Sequence, residues 1–298
     1  IRPRLVGLCR TDLAVASGRL PVGSARVLGH EVVGEVMDVG DGVKHCRTGD
    51  RVGVDPTIAC GACGECSDGW PHACKDRRFM GLDYDGAIAE SFVVPSRSVW
   101  VMPPEIEDTP AAMLEPVAAS SSVLKVPFDP DDRGLINGSG RLSVLTQRIL
   151  QASGASAIQS EHRLEPGDDE PFDFVIDTEG TSDSSASLVA RLRPGGTLVL
   201  KSRPVEHVSM DFREILPKEP VIYVVNYGSF REARRLLLED ELDLDGLLGP
   251  VWSAVDHASA FEAAAQDEAR KHFLALRIDG ETRRAIQSEC EQSRSFAV

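Results

Sequence analysis

Residues 58–75 read IACGACGECSDGWPHACK and place Cys60, Cys63, Cys66 and Cys74 in a C-x2-C-x2-C-x7-C array, four of the chain's seven cysteines within fifteen residues. A tetrahedral zinc ion takes four thiolates at about 2.3 Å, and a short loop turns consecutive thiolates toward one point only where its backbone is free to bend. Gly61, Gly64 and Gly69 supply that freedom. Two disulfides or four small buried hydrophobes are the alternatives, but a spacing of three repeated in succession leaves little room for unstrained bridges. The array therefore predicts a structural zinc site. Four protein ligands close it, so it stabilises a lobe and leaves the chemistry to be found elsewhere.

With 298 residues the chain is long enough for two domains, each with its own core. A formal net charge of -15 argues against nucleic acid or an anionic membrane as partner, because both repel an acidic surface. No apolar run approaches the ~20 residues of a membrane span, and residues 1–10 lack the apolar core of a signal peptide. An odd cysteine count with zinc-like spacing points to a reducing cytoplasm.

The opening IRPRLVGLCRTDLAVASG reads as a strand, a turn at Gly7 and a short helix from about Thr11 to Ala16. Val-rich alternation then predicts strands over Val32 to Val39 and Arg51 to Val54, so the first third of the chain is expected to be a β lobe. In this order the segments GLCRTD, GHEVVGEV, GDRV, the four-cysteine loop and EPVAAS resemble the zinc-dependent medium-chain dehydrogenases, closest to the polyol and sugar dehydrogenases. The resemblance implies a GroES-like β lobe joined to a doubly wound, parallel-sheet (Rossmann-type) nucleotide domain. It divides the chain into a catalytic segment at 1–116, a nucleotide-binding domain at 117–247, and a return segment with a polar tail at 248–298. It also makes residues 83–94, DYDGAIAESFVV, a returning β segment.

Carried residue by residue onto this sequence, the resemblance implies a catalytic zinc held by Cys9, His30, Glu31 and Glu115. Thiolate, imidazole and carboxylate are all good zinc ligands, and a catalytic site leaves one position open, so three protein contacts at a time are expected as Glu31 or Glu115 withdraws. Taken singly, Cys9 also reads as a buried hydrophobe, His30 as a loop histidine, and the two glutamates as solvated carboxylates. Thr11 resembles the hydroxyl that relays the alcohol proton, its alternative role being a helix cap. Asp12 resembles the carboxylate that orients the zinc histidine. The family's further relay histidine falls at Ala14 here, so protons are expected to leave through water.

In the second half, RGLINGSGRLSVLTQRILQASG reads as strand, glycine turn and helix. Gly138, Gly140 and Ser143 stand at the three glycine positions of a dinucleotide turn, with serine replacing the third. The ribose-gripping position, about 20 residues further on, falls at His162 between Glu161 and Arg163. The basic pair favours the 2′-phosphate of NADP, and Glu161 keeps NAD open. Strands are then expected at Phe172 to Asp177 and Thr197 to Lys201, with a turn at Pro194, Gly195 and Gly196, followed by a strand in PVIYVVNYGS and a helix in FREARRLLLED. Cys46 and Cys290 read as bystanders.

Two departures from the family pattern carry expectations of their own. Cys9 follows only a few residues, whereas family members have some tens of residues before it, so either the chain is truncated or its lobe lacks the early strands, and a sheet edge is expected to be left open. Between His162 and Phe172 lie nine residues, Arg163 to Pro171, too few for a strand and a crossover helix, so the third strand should be absent, giving the order 2-1-4-5-6 with the second strand at an edge. The expected activity is reversible oxidation of a hydrophilic alcohol (polyol, sugar or aminocyclitol) by NAD or NADP in a zinc enzyme with two zinc ions per chain. The resemblance also implies a homo-oligomer, a dimer or tetramer. A zinc-stabilised nucleotide-binding protein without turnover and a non-catalytic zinc scaffold are the alternatives.

Overall fold

The computed structural model describes residues 1–160, 170–204, 207–239 and 242–276. In chain order the strands are β1 (Arg2–Gly7), β2 (Glu31–Glu35), β3 (Arg51–Val54), β4 (Thr57–Ile58), β5 (Arg78–Phe79), β6 (Val99–Val101), β7 (Gly134–Asn137), β8 (Ile158–Ser160), β9 (Phe172–Asp177), β10 (Leu192–Leu200), β11 (Val221–Val224), β12 (Leu248–Ser253) and β13 (Lys271–Ala275). The α-helices are α1 (Arg10–Ala16), α2 (Gly64–Ser67), α3 (Asp108–Ala112), α4 (Leu114–Ser120), α5 (Arg141–Ala152), α6 (Ser182–Arg191), α7 (Phe212–Ile215), α8 (Phe230–Leu238) and α9 (His257–Gln266). None of these is long and apolar enough to cross a membrane.

The strands form a six-stranded sheet of order β12-β13-β1-β2-β3-β6, a five-stranded sheet of order β11-β10-β9-β7-β8, and the small β4-β5 pair. The six-stranded sheet is antiparallel except for the parallel β12-β13 pair, so the last described strands pair back onto the first. The five-stranded sheet is parallel throughout. Its central strands are buried almost end to end, β7 at all four residues and β9 at five of six, as a sheet covered on both faces requires. Among the described residues these five strands stand in the order expected of the first, second, fourth, fifth and sixth of the doubly wound pattern, 2-1-4-5-6, and residues 161–169, on which the expected loss of the third strand falls, lie outside the described residues. Among the described residues β8 is an edge strand.

One continuous core joins the lobes. Leu5 and Val33 of the first sheet and Phe273 of β13 share it with Met113, Leu114 and Val117 around α4, Leu145 and Ile149 of α5, and Phe230 and Leu236 of α8. Helix α4 sits at the centre of that core, with six of its seven residues buried. It therefore fixes Glu115 between the six-stranded sheet and helices α5 and α8.

Some local expectations need correction. Strand β2 ends at Glu35 rather than Val39, since beyond it Val36 exchanges hydrogen bonds with the turn at Gly49 and Asp50. Residues 83–94 form no strand: Gly86, Ala87 and Ile88 donate instead to the irregular segment 27–29. Strand β10 begins at Leu192 and takes in Pro194, Gly195 and Gly196 as a break in register, with Leu192 opposite Phe172 and Thr197 opposite Phe174. It ends at Leu200, so Lys201 lies past its carboxyl end.

Candidate active site

Three donors converge where β1 ends and β2 begins. Cys9 precedes α1 in an extended conformation, and Asp12 on the first turn of α1 accepts from its backbone N–H at 3.0 Å. The other Asp12 oxygen accepts from the Gly29 N–H at 2.9 Å and lies 3.5 Å from His30 Nδ1. A carboxylate held this way fixes the tautomer and tilt of the ring, leaving Nε2 for a ligand. Asp12 and His30 are both almost fully buried. Burial alone raises the Asp12 carboxyl, but His30 and the two backbone N–H groups outweigh it and hold the carboxyl below its ordinary value. Burial likewise opposes a charged His30, yet Asp12 and Cys9 raise the ring well above its usual range.

Ligand atoms of Cys9, His30 and Glu31 lie within 4.8 Å of one another. Glu31 stands directly across from Gly7 in the β1-β2 register, and a Cβ at Gly7 would come within 2.5 Å of Glu31 Oε2. Only glycine leaves room for the carboxylate there. The same carboxylate receives the ammonium of Lys271, whose Nζ donates to Oε1 at 2.6 Å and also to Oε2. The soft thiolate, imidazole and carboxylate make a donor set suited to zinc.

Glu115 is buried close by but outside that group of three. Tyr227 Oη donates to its Oε1. Burial, then the neighbouring charge of Glu31, push the Glu115 carboxyl up, against the pull of His30, the Tyr227 hydroxyl and Arg203. Thr11 Oγ1 lies 3.8 Å from Cys9 Sγ.

The second cluster is the four-cysteine loop. Ligand atoms of Cys60, Cys63, Cys66 and Cys74 also lie within 4.8 Å of one another, and every described cysteine is a free thiol. Cys60 Sγ accepts from the N–H groups of Ala62 and Cys63, at 3.4 and 3.3 Å, which lowers this thiol to about 7. Backbone donors aimed at sulfur favour the thiolate that a metal needs. Cys46 packs with Val36, Val52 and Val99 as a small hydrophobe, and Cys290 lies outside the described residues.

The nucleotide turn joins β7 to α5. Gly138 has φ +118°, and a Cβ there would meet Thr178 Oγ1 at 2.4 Å and Ser143 Oγ at 2.5 Å. Ser143 is buried in the third glycine's place and hydrogen-bonds Thr178 Oγ1 at 2.8 Å, so the close approach of helix to sheet survives the substitution. Over Gly140 the space is open, with only the Glu268 carbonyl 3.8 Å from an added Cβ. Glu161, His162 and Arg163 lie outside the described residues.

Sequence reasoning misses four groups around this crevice. Lys271 and Tyr227 are described above. Lys201 Nζ donates to the Ala119 carbonyl at 2.9 Å, and burial, with Arg203 nearby, lowers it to about 7. Arg203 lies over the Tyr227 ring, 4.5 Å from its centroid. None is signalled locally, because each acts on a residue remote in sequence.

Residues 1–104 match the alcohol dehydrogenase GroES-like domain. L-threonine 3-dehydrogenase of Pyrococcus abyssi is 30% identical over 296 residues, covering 86% of this chain and 84% of that one. Sorbitol dehydrogenase of Halalkalibacterium halodurans is 29% identical over 186 residues, covering 60% and 54%. The fold is that of the short chain alcohol dehydrogenase (rspB) of E. coli CFT073 solved with NADH, at a TM-score of 0.83 and 23% identity over 92% of this chain and 90% of that one. With its thiolate–imidazole–carboxylate group beside a dinucleotide turn, the chain belongs to the zinc-dependent medium-chain dehydrogenases.

Proposed function

We propose that the protein oxidises a hydrophilic alcohol to the carbonyl compound, reversibly, with NAD or NADP as hydride acceptor. The balance is one alcohol and one oxidised nucleotide giving one carbonyl compound, one reduced nucleotide and one proton. What carries this reading is the convergence of Cys9, His30 and Glu31 on one point, in a chain whose nucleotide turn opens at Gly140. Cys9, His30 and Glu31, with Glu115 as the alternate carboxylate, would hold a catalytic zinc, and the four-cysteine loop a structural one. Zinc bound there would polarise the alcohol oxygen and lower its proton affinity, while the nicotinamide takes the hydride.

The chain's own groups supply the rest. Asp12 holds His30 in register, and Lys271 pairs with the Glu31 carboxylate. Thr11 Oγ1 is placed to accept the alcohol proton and pass it to water, since Ala14 offers no further relay. Glu115, with the Tyr227 hydroxyl on it and Lys201 nearby, makes the surroundings of the metal group polar, which favours a hydrophilic alcohol (polyol, sugar or aminocyclitol) over a long aliphatic one. The threonine and sorbitol dehydrogenases among its relatives are named for substrates of that kind. The sequence at 161–163 supports NADP through His162 and Arg163, and NAD through Glu161. Free thiols at every described cysteine suit a reducing cytoplasm. The exposed Val221, Ile222 and Val224 of the edge strand β11 suit pairing with a second copy in a homo-oligomer.

The test is metal analysis of the purified protein combined with nicotinamide reduction on an alcohol panel. Two zinc ions per chain and turnover of polar alcohols with NAD or NADP are expected. Metal-loaded protein that reduces neither nucleotide would refute the reading.

A further inference from the structure

Two basic side chains at the carboxyl end of the nucleotide sheet have no anionic partner among the described residues. Lys201 and Arg203 follow directly on β10. Lys201 is 5% exposed, and its hydrogen-bond acceptor is a neutral carbonyl, that of Ala119. Arg203 donates from Nη2 to the Asn226 amide oxygen at 3.0 Å and rests on the Tyr227 ring. Among the described residues no carboxylate comes within ion-pair distance of either. Arg203 therefore presents its charge to solvent with a neutral amide and an aromatic ring as partners, which leaves it open to an arriving anion.

Their place in the sheet says which anion. Ligands of a doubly wound sheet lie across the carboxyl ends of its strands, with the pyrophosphate at the first glycine turn and the adenosine ribose beyond the second strand. Here those positions are the ends of β7 and β8. Strand β10 stands two strands from β7 on the side away from β8, roughly 10 Å off at the usual ~4.8 Å spacing. Arg203 therefore faces the reacting half of the crevice rather than the adenosine half. Tyr227 links it to the metal group, since the ring that carries the guanidinium gives its hydroxyl to Glu115. Arg203 is also solvent-exposed, so a ligand in the crevice can reach it. A planar fork pre-oriented on an aromatic face is suited to bidentate capture of carboxylate or phosphate.

We propose that Arg203 is a specificity-determining residue and docks an acidic group, carboxylate or phosphate, carried by the alcohol. The inference rests on the dehydrogenase reading above and narrows its substrate to an anionic hydroxy compound, a hydroxy acid or an alcohol phosphate. The bland rival is that Arg203 only offsets the charge of Glu115. Against it, Glu115 takes its hydrogen bond from Tyr227, and Arg203 is not within ion-pair distance of it.

The experiment compares matched alcohols of one carbon skeleton, glycerol with glycerate and glycerol 3-phosphate, for the full zinc-loaded chain and for Arg203→Ala and Arg203→Lys. The ratio of kcat/KM between the anionic and neutral members is read in each, and direct binding of glycerate and glycerol 3-phosphate is measured by calorimetry. The wild type should favour at least one anionic member. Arg203→Ala should lower that ratio and weaken that anion's binding by about 10- to 100-fold, the size of a lost charge-assisted hydrogen bond, with partial rescue by lysine. The glycerate and glycerol 3-phosphate arms decide between carboxylate and phosphate. A wild type that favours glycerol, binding of neither anion, or equal losses for anionic and neutral members in the alanine variant would overturn the inference. Absence of turnover on every alcohol with both nucleotides would instead refute the dehydrogenase reading, and calorimetry would still decide the role of Arg203.

Discussion

Lys271 and Glu31, 240 residues apart in sequence, form a buried ion pair in which one ammonium serves both carboxylate oxygens. Their side chains are 3% and 2% exposed. The pair spans two strands of one sheet that flank β1, and the glycine at Gly7 opens the space between them. This makes the last described strand, β13, part of the metal group's support. Removing the ammonium leaves a carboxylate buried without a counter-charge, which typically costs about 3–5 kcal/mol. In zinc-depleted protein Lys271→Met should lose stability by that amount. In zinc-loaded protein the loss should be smaller, because the ion supplies the missing positive charge. Urea denaturation of both proteins in both states checks this. An equal loss in the two states would show that Glu31 does not face the metal.

Cys63→Ser and His30→Ala should separate the two clusters. The serine variant should carry one zinc ion instead of two and lose more than about 4 kcal/mol, since few mechanisms besides loss of a structural metal reach that size. The histidine variant should also carry one zinc ion, keep the cooperative unfolding of the wild type, and lose turnover. Elemental analysis beside calorimetric unfolding reads both quantities. Retention of two ions in the histidine variant would count against a catalytic metal at Cys9, His30 and Glu31.

What the sequence makes legible follows from how local each signal is. The four cysteines gather because their spacing lies within one loop, and Cys9 and Asp12 share one helical turn. The strand order 2-1-4-5-6 is legible from the shortness of the segment between His162 and Phe172. Lys271 and Tyr227 are not legible, because they reach their partners across 240 and 112 residues and neither carries a motif. The β segment that the resemblance implies at residues 83–94 does not form, because Gly86, Ala87 and Ile88 donate to residues 27–29 instead, a tertiary pairing remote in sequence.

Gly138 and Gly140 should differ in what they tolerate. At Gly138 an alanine adopts a positive φ and meets Thr178 and Ser143, so Gly138→Ala should cost about 1–3 kcal/mol of stability along with nucleotide affinity. At Gly140 the added methyl finds open space within the protein, so Gly140→Ala should cost less than about 1 kcal/mol while still obstructing the pyrophosphate. Urea titration together with fluorescence titration by NADH and NADPH resolves the two effects. Undiminished nucleotide binding by Gly140→Ala would place the pyrophosphate elsewhere.

Asp55 should impose a pH dependence on stability opposite to that of most carboxylates. Burial, aided by the charge of Glu115, raises it to about 6, although the Thr57 N–H donates to it at 2.8 Å. An unfolded aspartate titrates near about 3.9. The folded state therefore binds the extra proton, and stability falls with rising pH wherever the folded state holds more protons than the unfolded one. This contribution is full below about pH 4 and is lost as pH rises through about 6. Asp55→Asn keeps an oxygen acceptor for Thr57 and removes the titration. Between pH 5 and pH 7.5 the wild type should lose about 1–1.5 kcal/mol relative to that variant. Urea denaturation of the two zinc-loaded proteins at both pH values measures the difference, in which contributions from the metal sites cancel. A difference that stays constant, or grows in favour of the wild type at pH 7.5, would show that Asp55 is ionised throughout and stabilised by its surroundings.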